Sequence, residues 1–224
     1  MGGRSVDVSF IVPARNEQAF LGATLDSIDA QRTSRQYEVI VVDGDSSDTT
    51  PAIARNYGAE LISGAGTGRA DGRNRGAAQA KGEWLVFIDA DTILRPIYLD
   101  TILDYMDEHN LSGGGSRCEI TGGWRTRPFE VLFNYILPNL SPPVMPGFNI
   151  AVQKDAYEEI GGFPSLPNED VEFSRRLGRK FPTAVCPTVL VTTSGRRIEQ
   201  NGFVNSVAYY WKKDRKRKRH QNNG

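Results

Sequence analysis

Apolar and polar positions alternate in blocks along this 224-residue chain. Short apolar runs stand at residues 8–12, 39–42, 84–88, 147–152 and 185–192, with Glu60-Leu-Ile62 as a briefer one. Runs of this length, rich in Val, Ile, Leu and Phe, predict strands buried on both faces. Between them the apolar spacing changes to a helical period. Phe20, Leu21, Leu25 and Ile28 fall on one stripe, with Asn16 as the expected cap. Thr50-Pro51 marks an N-cap followed by proline in the first turn, and Gly58 the helix end. Residues 69–80 predict a helix stopped at Gly82, and Pro96 opens another with Leu99, Ile102, Leu103 and Met106 on one face. Glu169-Asp170 opens one more, through Leu177. Strands alternating with helices at this spacing predict a parallel sheet with crossover helices. Pro13 is expected to stop the first strand.

The pattern breaks between Leu111 and Pro146, a stretch rich in Gly, Pro and aromatics without clean periodicity. Trp124, Phe129, Val131, Leu132, Phe133, Tyr135 and Ile136 make it apolar enough for either a packed helix or a surface that meets an apolar partner.

The run Trp84–Ile88 meets two carboxylates, Asp89 and Asp91, separated by Ala90. Residues two apart on a strand share a face, so both are expected to enter one crevice at the strand's carboxyl end, where open α/β sheets bind ligands. Paired carboxylates repel unless a cation sits beside them. Oxygen ligands suit Mg²⁺ or Mn²⁺, which bind one or two protein carboxylates together with substrate phosphates.

Charge narrows the partners. The chain has 27 basic and 27 acidic residues, but seven basic residues and one acidic lie between Lys212 and His220, leaving 20 basic against 26 acidic elsewhere. An acidic body with a basic tail argues against a nucleic-acid-binding domain. Cys118 and Cys186 form neither a zinc pattern nor a disulfide framework, and a reducing, cytoplasmic setting is expected. No signal-peptide pattern precedes Val6 and no apolar run approaches the ~18–20 residues of a bilayer span. Tyr209-Tyr-Trp211 beside the basic run suggests either a peripheral contact with an anionic membrane or a solvated tail. Gly64, Gly66 and Gly68 do not complete a dinucleotide fingerprint, since Arg69 or Asp71 stands at the third glycine, and no P-loop is present.

Four blocks in order resemble the family-2 glycosyltransferases, the inverting enzymes of GT-A fold. They are Ile11-Val-Pro-Ala-Arg-Asn-Glu17, Val41-Val-Asp-Gly-Asp-Ser-Ser-Asp48, Phe87-Ile-Asp-Ala-Asp91, and the set Gly147-Phe-Asn-Ile, Gly161-Gly-Phe163 and Glu169-Asp170. The resemblance implies an α/β GT-A fold: a Rossmann-like nucleotide-sugar half over residues 1–92, with a mixed central sheet, an acceptor half over 93–197, and a tail over 198–224. It implies a donor site of Pro13, Ala14, Arg15, Glu17, Asp43, Asp45, Arg69, Arg73, Asp89 and Arg197, with Arg196 beside it. Asp91 and Asp89 would hold the cation, and Asp170, supported by Glu169, would be the base for the acceptor. The implied reaction moves one sugar from a UDP- or GDP-sugar to a hydroxyl or a polyisoprenyl-linked phosphate.

Two features depart from the family pattern. Gly44 replaces the second of two adjacent aspartates, leaving the base identity open, and the Q-x-x-R-W motif of processive synthases is missing. The competing classes are a sugar-phosphate nucleotidyltransferase, which should carry a Gly-rich basic signature after the first strand, and a non-catalytic membrane scaffold, which should lack Asp91 or Asp170. For Arg69, Arg73, Arg75, Arg196 and Arg197, solvated surface is the competing role; for Glu169 and Asp170 it is the acidic preference of a helix N-terminus.

Overall fold

A computed structural model describes residues 5–64 and 68–202. Gly66, the Tyr209–Trp211 aromatics and the basic run, on which parts of the sequence reading rest, lie outside the described residues.

The strands are β1 (Val8–Ala14), β2 (Tyr37–Asp43), β3 (Glu60–Ile62), β4 (Trp84–Ile88), β5 (Thr92–Leu94), β6 (Gly113–Ile120), β7 (Asn149–Gln153) and β8 (Thr183–Thr193). The helices are α1 (Leu21–Asp29), α2 (Thr50–Asn56), α3 (Arg69–Gln79), α4 (Tyr98–Glu108), α5 (Arg127–Val131), α6 (Lys154–Glu159), α7 (Glu169–Lys180) and α8 (Arg196–Asn201). A π-helical turn, Leu132–Ile136, and a 3₁₀ turn, Leu137–Asn139, continue α5.

One sheet of order β3-β2-β1-β4-β7-β6-β8-β5 carries the chain. Its first four strands are parallel. The all-parallel expectation fails beyond β4: β7 runs antiparallel to both β4 and β6, β6 runs parallel to β8, and β5 antiparallel to β8. The sheet is therefore mixed, as the family resemblance implied.

Alternation within strands builds two cores. Phe10, Val12, Val86 and Ile88 face one side with Leu21, Leu25, Leu99 and Leu103. Ile11, Leu85, Phe87, Ile150 and Val152 face the other with Ala77, Tyr157, Phe173 and Leu177.

Several local expectations are corrected. Pro13 does not stop β1, which runs on to Ala14 beside β2. Pairing with β4 ends at Ile11, so on that side no ladder bond is lost to a residue without an N–H. Asn16 does not cap α1. It takes a left-handed conformation (φ 53°), and its Oδ1 accepts from the Ser47 N–H at 2.8 Å. Thr49, not Thr50, is the N-cap of α2 and makes no side-chain capping bond; the Thr50 hydroxyl accepts from the Glu17 N–H at 2.8 Å. Helix α3 ends at Gln79 through an extended Ala80, ahead of Gly82.

Candidate active site

The carboxyl ends of β1, β2 and β4 open on one side of the sheet into a cleft of about 290 Å³. Two loops form one wall. The Ser46 hydroxyl accepts from the Asn16 N–H at 2.8 Å and the Ala14 carbonyl accepts from the Gly44 N–H at 2.8 Å, so the segments after β1 and β2 are locked together. That locking sets Glu17 over the cleft.

Asp89 and Asp91 both line the cleft, for a different reason from the one the strand pattern suggested. Strand β4 stops at Ile88 and residues 89–92 turn, with the Thr92 N–H donating to the Asp89 carbonyl at 3.0 Å. A tight turn, and not a shared strand face, brings the two carboxylates together. Burial works against ionisation of Asp89, but Arg73, Arg69 and Arg197 outweigh it and hold its carboxyl below the usual range. Burial, then Asp89 and Glu17, push Asp91 up to about 6 against the pull of Arg196 and Arg69. Around Asp91 the carboxylates of Asp89 and Glu17 make a local excess of negative charge, although the cleft lining as a whole has four arginines against three carboxylates.

Arg196, at the start of α8, answers part of that excess. Its Nη2 lies 2.5 and 2.7 Å from the Glu17 carboxylate oxygens and 3.1 Å from Asp91 Oδ2, and its guanidinium sits 4.2 Å over the Phe20 ring. Phe20, read from sequence only as part of the α1 stripe, thereby supports Arg196 from outside the cleft lining, and nothing in the sequence signals that contact.

Of the residues nominated from sequence, Pro13, Ala14, Arg15, Glu17, Arg69, Asp89, Asp91 and Arg197 line the cleft together. Asp43 sits just behind, 4 % exposed: its Oδ2 accepts from the Ser46 N–H at 3.1 Å, while Oδ1 is buried without a partner among the described residues. Asp45 is exposed, in a left-handed conformation (φ 59°), and does not line the cleft. Arg73 is 1 % exposed and lies beneath the cleft.

Asp170 belongs to the first turn of α7, away from the cleft lining. Its Oδ2 accepts from the Gly147 N–H at 3.1 Å and its Oδ1 from the Val171 N–H at 2.9 Å. Burial and then Glu169 raise its pKa above the usual carboxylate range, against Arg73 and those two N–H groups. Glu169 accepts from Arg73 Nη1 at 2.9 Å.

The oxygen donors of Asp89 and Asp91 fit a hard divalent cation. Among the described residues, no group of three or more His, Cys, Asp or Glu is placed to hold a metal. A cation here would complete its shell with phosphate oxygens and water, as Mg²⁺ and Mn²⁺ commonly do.

Comparison with known proteins agrees with this architecture. The profile described as glycosyl transferase family 2 matches residues 9–161. A protein of Haemophilus influenzae described as an uncharacterized glycosyltransferase is 30 % identical over 184 residues, covering 76 % of this chain and 61 % of its own length. The chain thus spans about three fifths of that relative. Among solved structures, S. aureus TarS in complex with UDP-GlcNAc superposes with a TM-score of 0.68 at 22 % identity, over 85 % of this chain and 59 % of that one. Mannosyltransferase PcManGT from Pyrobaculum calidifontis, in complex with GDP-Man and Mn²⁺, does so with a TM-score of 0.67 at 24 % identity, over 86 % and 57 %. The first three ordered blocks, which meet at the cleft, the mixed sheet behind them and the profile match across most of the chain place this protein in glycosyl transferase family 2, with the GT-A fold.

Proposed function

We propose that this chain transfers a single sugar, with inversion, from a nucleoside-diphosphate sugar to an acceptor hydroxyl or a lipid-linked phosphate. The observation that carries the reading is the convergence of Asp89, Asp91 and Glu17 with Arg69, Arg196 and Arg197 in one cleft at the carboxyl end of the parallel strands. Such a mixture suits a diphosphate that arrives with its own cation. Structural neighbours named with UDP-GlcNAc and with GDP-Man and Mn²⁺ support the donor class and leave uridine against guanosine to the test. The unpartnered Oδ1 of Asp43 supports an N–H of the base as its ligand.

In this reading the acceptor oxygen attacks the anomeric carbon from the side opposite the diphosphate. The new glycosidic bond forms as the bond to the phosphate oxygen breaks; a hydroxyl acceptor passes its proton to Asp170, and an ionised phosphate acceptor has none to pass. Arg69 and Arg197 face the charge that grows on the leaving diphosphate. A divalent cation held by Asp91 and Asp89 would supply Lewis-acid stabilisation of the same charge. Asp170 suits a base because burial and Glu169 raise its proton affinity.

The acceptor side favours a lipid-linked substrate met at a membrane surface, with the protein cytoplasmic and peripheral. Trp124, Val131, Tyr135, Ile136 and Leu140 are exposed together on the α5 segment and its flanks, at 44–77 %. Arg125 stacks over Trp124 and Arg117 over Tyr135, so arginines accompany the aromatics, as at a headgroup boundary. Phe133, on the same segment, packs against Phe148, next in sequence to Gly147, which contacts Asp170. Among the described residues no helix is long and apolar enough to cross a membrane.

The test is calorimetric titration with UDP- and GDP-sugars in the presence of Mn²⁺, followed by transfer to a polyisoprenyl phosphate and NMR assignment of the product anomer. Binding of one donor family and an inverted anomeric centre support the proposal. No affinity for any nucleotide sugar, or a retained configuration, overturns it.

A further inference from the structure

Arg73 is a fully buried cation in the middle of α3, and its environment is unusual for a structural arginine. Its fork takes one carboxylate from each half of the site. Nη2 donates to Asp89 Oδ1 at 2.9 Å, and Nη1 donates to Glu169 Oε1 at 2.9 Å, 96 residues further along the chain. Nη2 also donates to the Gly147 carbonyl at 2.9 Å, while the N–H of Gly147 donates to Asp170 Oδ2 at 3.1 Å. A continuous hydrogen-bonded path therefore runs from Asp89 through Arg73 and Gly147 to Asp170.

Two further features show that the pocket is shaped for this guanidinium. A Cβ at residue 147 would lie 2.6 Å from Arg73 Nη2 and 3.0 Å from Cζ, so glycine there makes the room. The Phe163 ring lies below, 5.1 Å from Cζ, and stacks in turn on Phe173 at 4.1 Å. A buried guanidinium needs partners for its several N–H groups, and here those partners come from both halves of the site. This one binds two carboxylates and a peptide carbonyl in a planar fork that a lysine ammonium cannot reproduce. The tip of the side chain is held wholly by site residues; Nε has no partner among the described residues.

We propose that Arg73 is a positioning residue: it sets the spacing between the donor-side carboxylate Asp89 and the acceptor-side pair Glu169–Asp170, and so governs turnover and not donor affinity. This replaces direct donor contact as the role of Arg73, and it rests on the reading of Asp170 as the base. With the fork gone, the Gly147 peptide keeps only its bond to Asp170, and both carboxylates lose their common reference. A misplacement of about 1 Å at such a centre costs on the order of 100-fold in rate.

The experiment compares Arg73→Lys, Gly147→Ala and Asp170→Asn in the full chain. It measures kcat, donor KM, and the affinity for the nucleoside diphosphate with Mn²⁺, UDP and GDP each being titrated. Arg73→Lys should lower kcat by ~10- to 100-fold while nucleotide affinity stays within about 3-fold of the parent. Gly147→Ala keeps the arginine but crowds it, and should give the same split to a smaller degree; it serves where Arg73→Lys fails to fold. Unchanged kcat in the folded variant, or nucleotide affinity falling in step with kcat, overturns the proposal. Failure of the underlying reading looks different: full turnover of a hydroxyl acceptor by Asp170→Asn removes the base, whereas an unmoved Arg73→Lys removes only the positioning role.

Discussion

Asp91 stands in a turn, its side chain 17 % exposed, with Asp89 and Glu17 as like-charged neighbours and Arg196 as counter-charge. An unperturbed aspartate titrates near 4, so with a folded value of about 6 the native protein binds this proton more tightly than the unfolded chain. Stability therefore falls as pH rises from about 4 to about 6 and levels off above, by at most ~3 kcal/mol. Metal-free Asp91→Asn is accordingly expected to melt higher than the parent at pH 7.5, with the difference gone below pH 4. Mn²⁺ should raise the parent's Tm and leave the variant's unmoved, and metal-dependent transfer by the variant should drop ~100-fold or more. Equal Mn²⁺ shifts in both proteins would disprove the ligand role. Asp170→Asn is expected to lose transfer to hydroxyl acceptors with nucleotide affinity intact. Because a base must be deprotonated and the Asp170 pKa is raised, the parent's rate should fall on acidification at a pH above the ordinary carboxylate range. Retained transfer to a phosphate acceptor alone would mean that the acceptor is already ionised and needs no base.

Among elements, β6 is the longest that periodicity could not reveal. Gly113, Gly114 and Gly115 open it, and glycine is depleted in strands, so the segment reads as a loop. The structure supplies the reason for them: a Cβ on Gly114 would stand 2.1 Å from the Ala184 carbonyl and 2.4 Å from Met106 Cε. Close approach to β8 and α4 decides Gly114, while β7 crowds Gly113 and Gly115. Gly114→Ala should cost about 1–3 kcal/mol through this overpacking, read as a lowered urea midpoint at constant m-value. A variant as stable as the parent would show that the strands can separate freely there. The short β5 and α6 also escaped, being three and six residues long. By contrast β3, β4 and the start of α3 are where the pattern of apolar runs and turn residues sets them, because burial on both faces demands that pattern.

At the scale of the molecule, the sequence sets an acidic body against a basic C-terminal run, and the described residues expose an apolar segment. Co-sedimentation with anionic vesicles is expected for the full chain, weakening with salt since screening acts on the Lys and Arg contribution. Ending the chain at Ala208 should reduce it, and the pair Val131→Ser with Ile136→Ser should reduce what is left. Unaltered partitioning in the truncated chain would take the tail out of the account; unaltered partitioning in the double variant would do the same for the apolar segment. Val131 and Ile136 lie outside the cleft lining, so in the double variant affinity for UDP or GDP with Mn²⁺ should be unaffected.

Local rules carried the parallel half of this protein. Buried strands, their turn chemistry and the carboxylates that follow them are written in consecutive residues, and the residues gathered in the cleft lie mostly at those strand ends. Interactions across long chain separations are not written that way. That β7 would return antiparallel beside β4 depends on a sheet edge that exists only once the first half has folded. That Arg73 would bind Glu169, and Arg196 would bridge Glu17 and Asp91, depends on side chains up to 179 residues apart that meet only in the folded chain. A charged residue in sequence is solvated surface by default, and only packing can remove the water that makes it so.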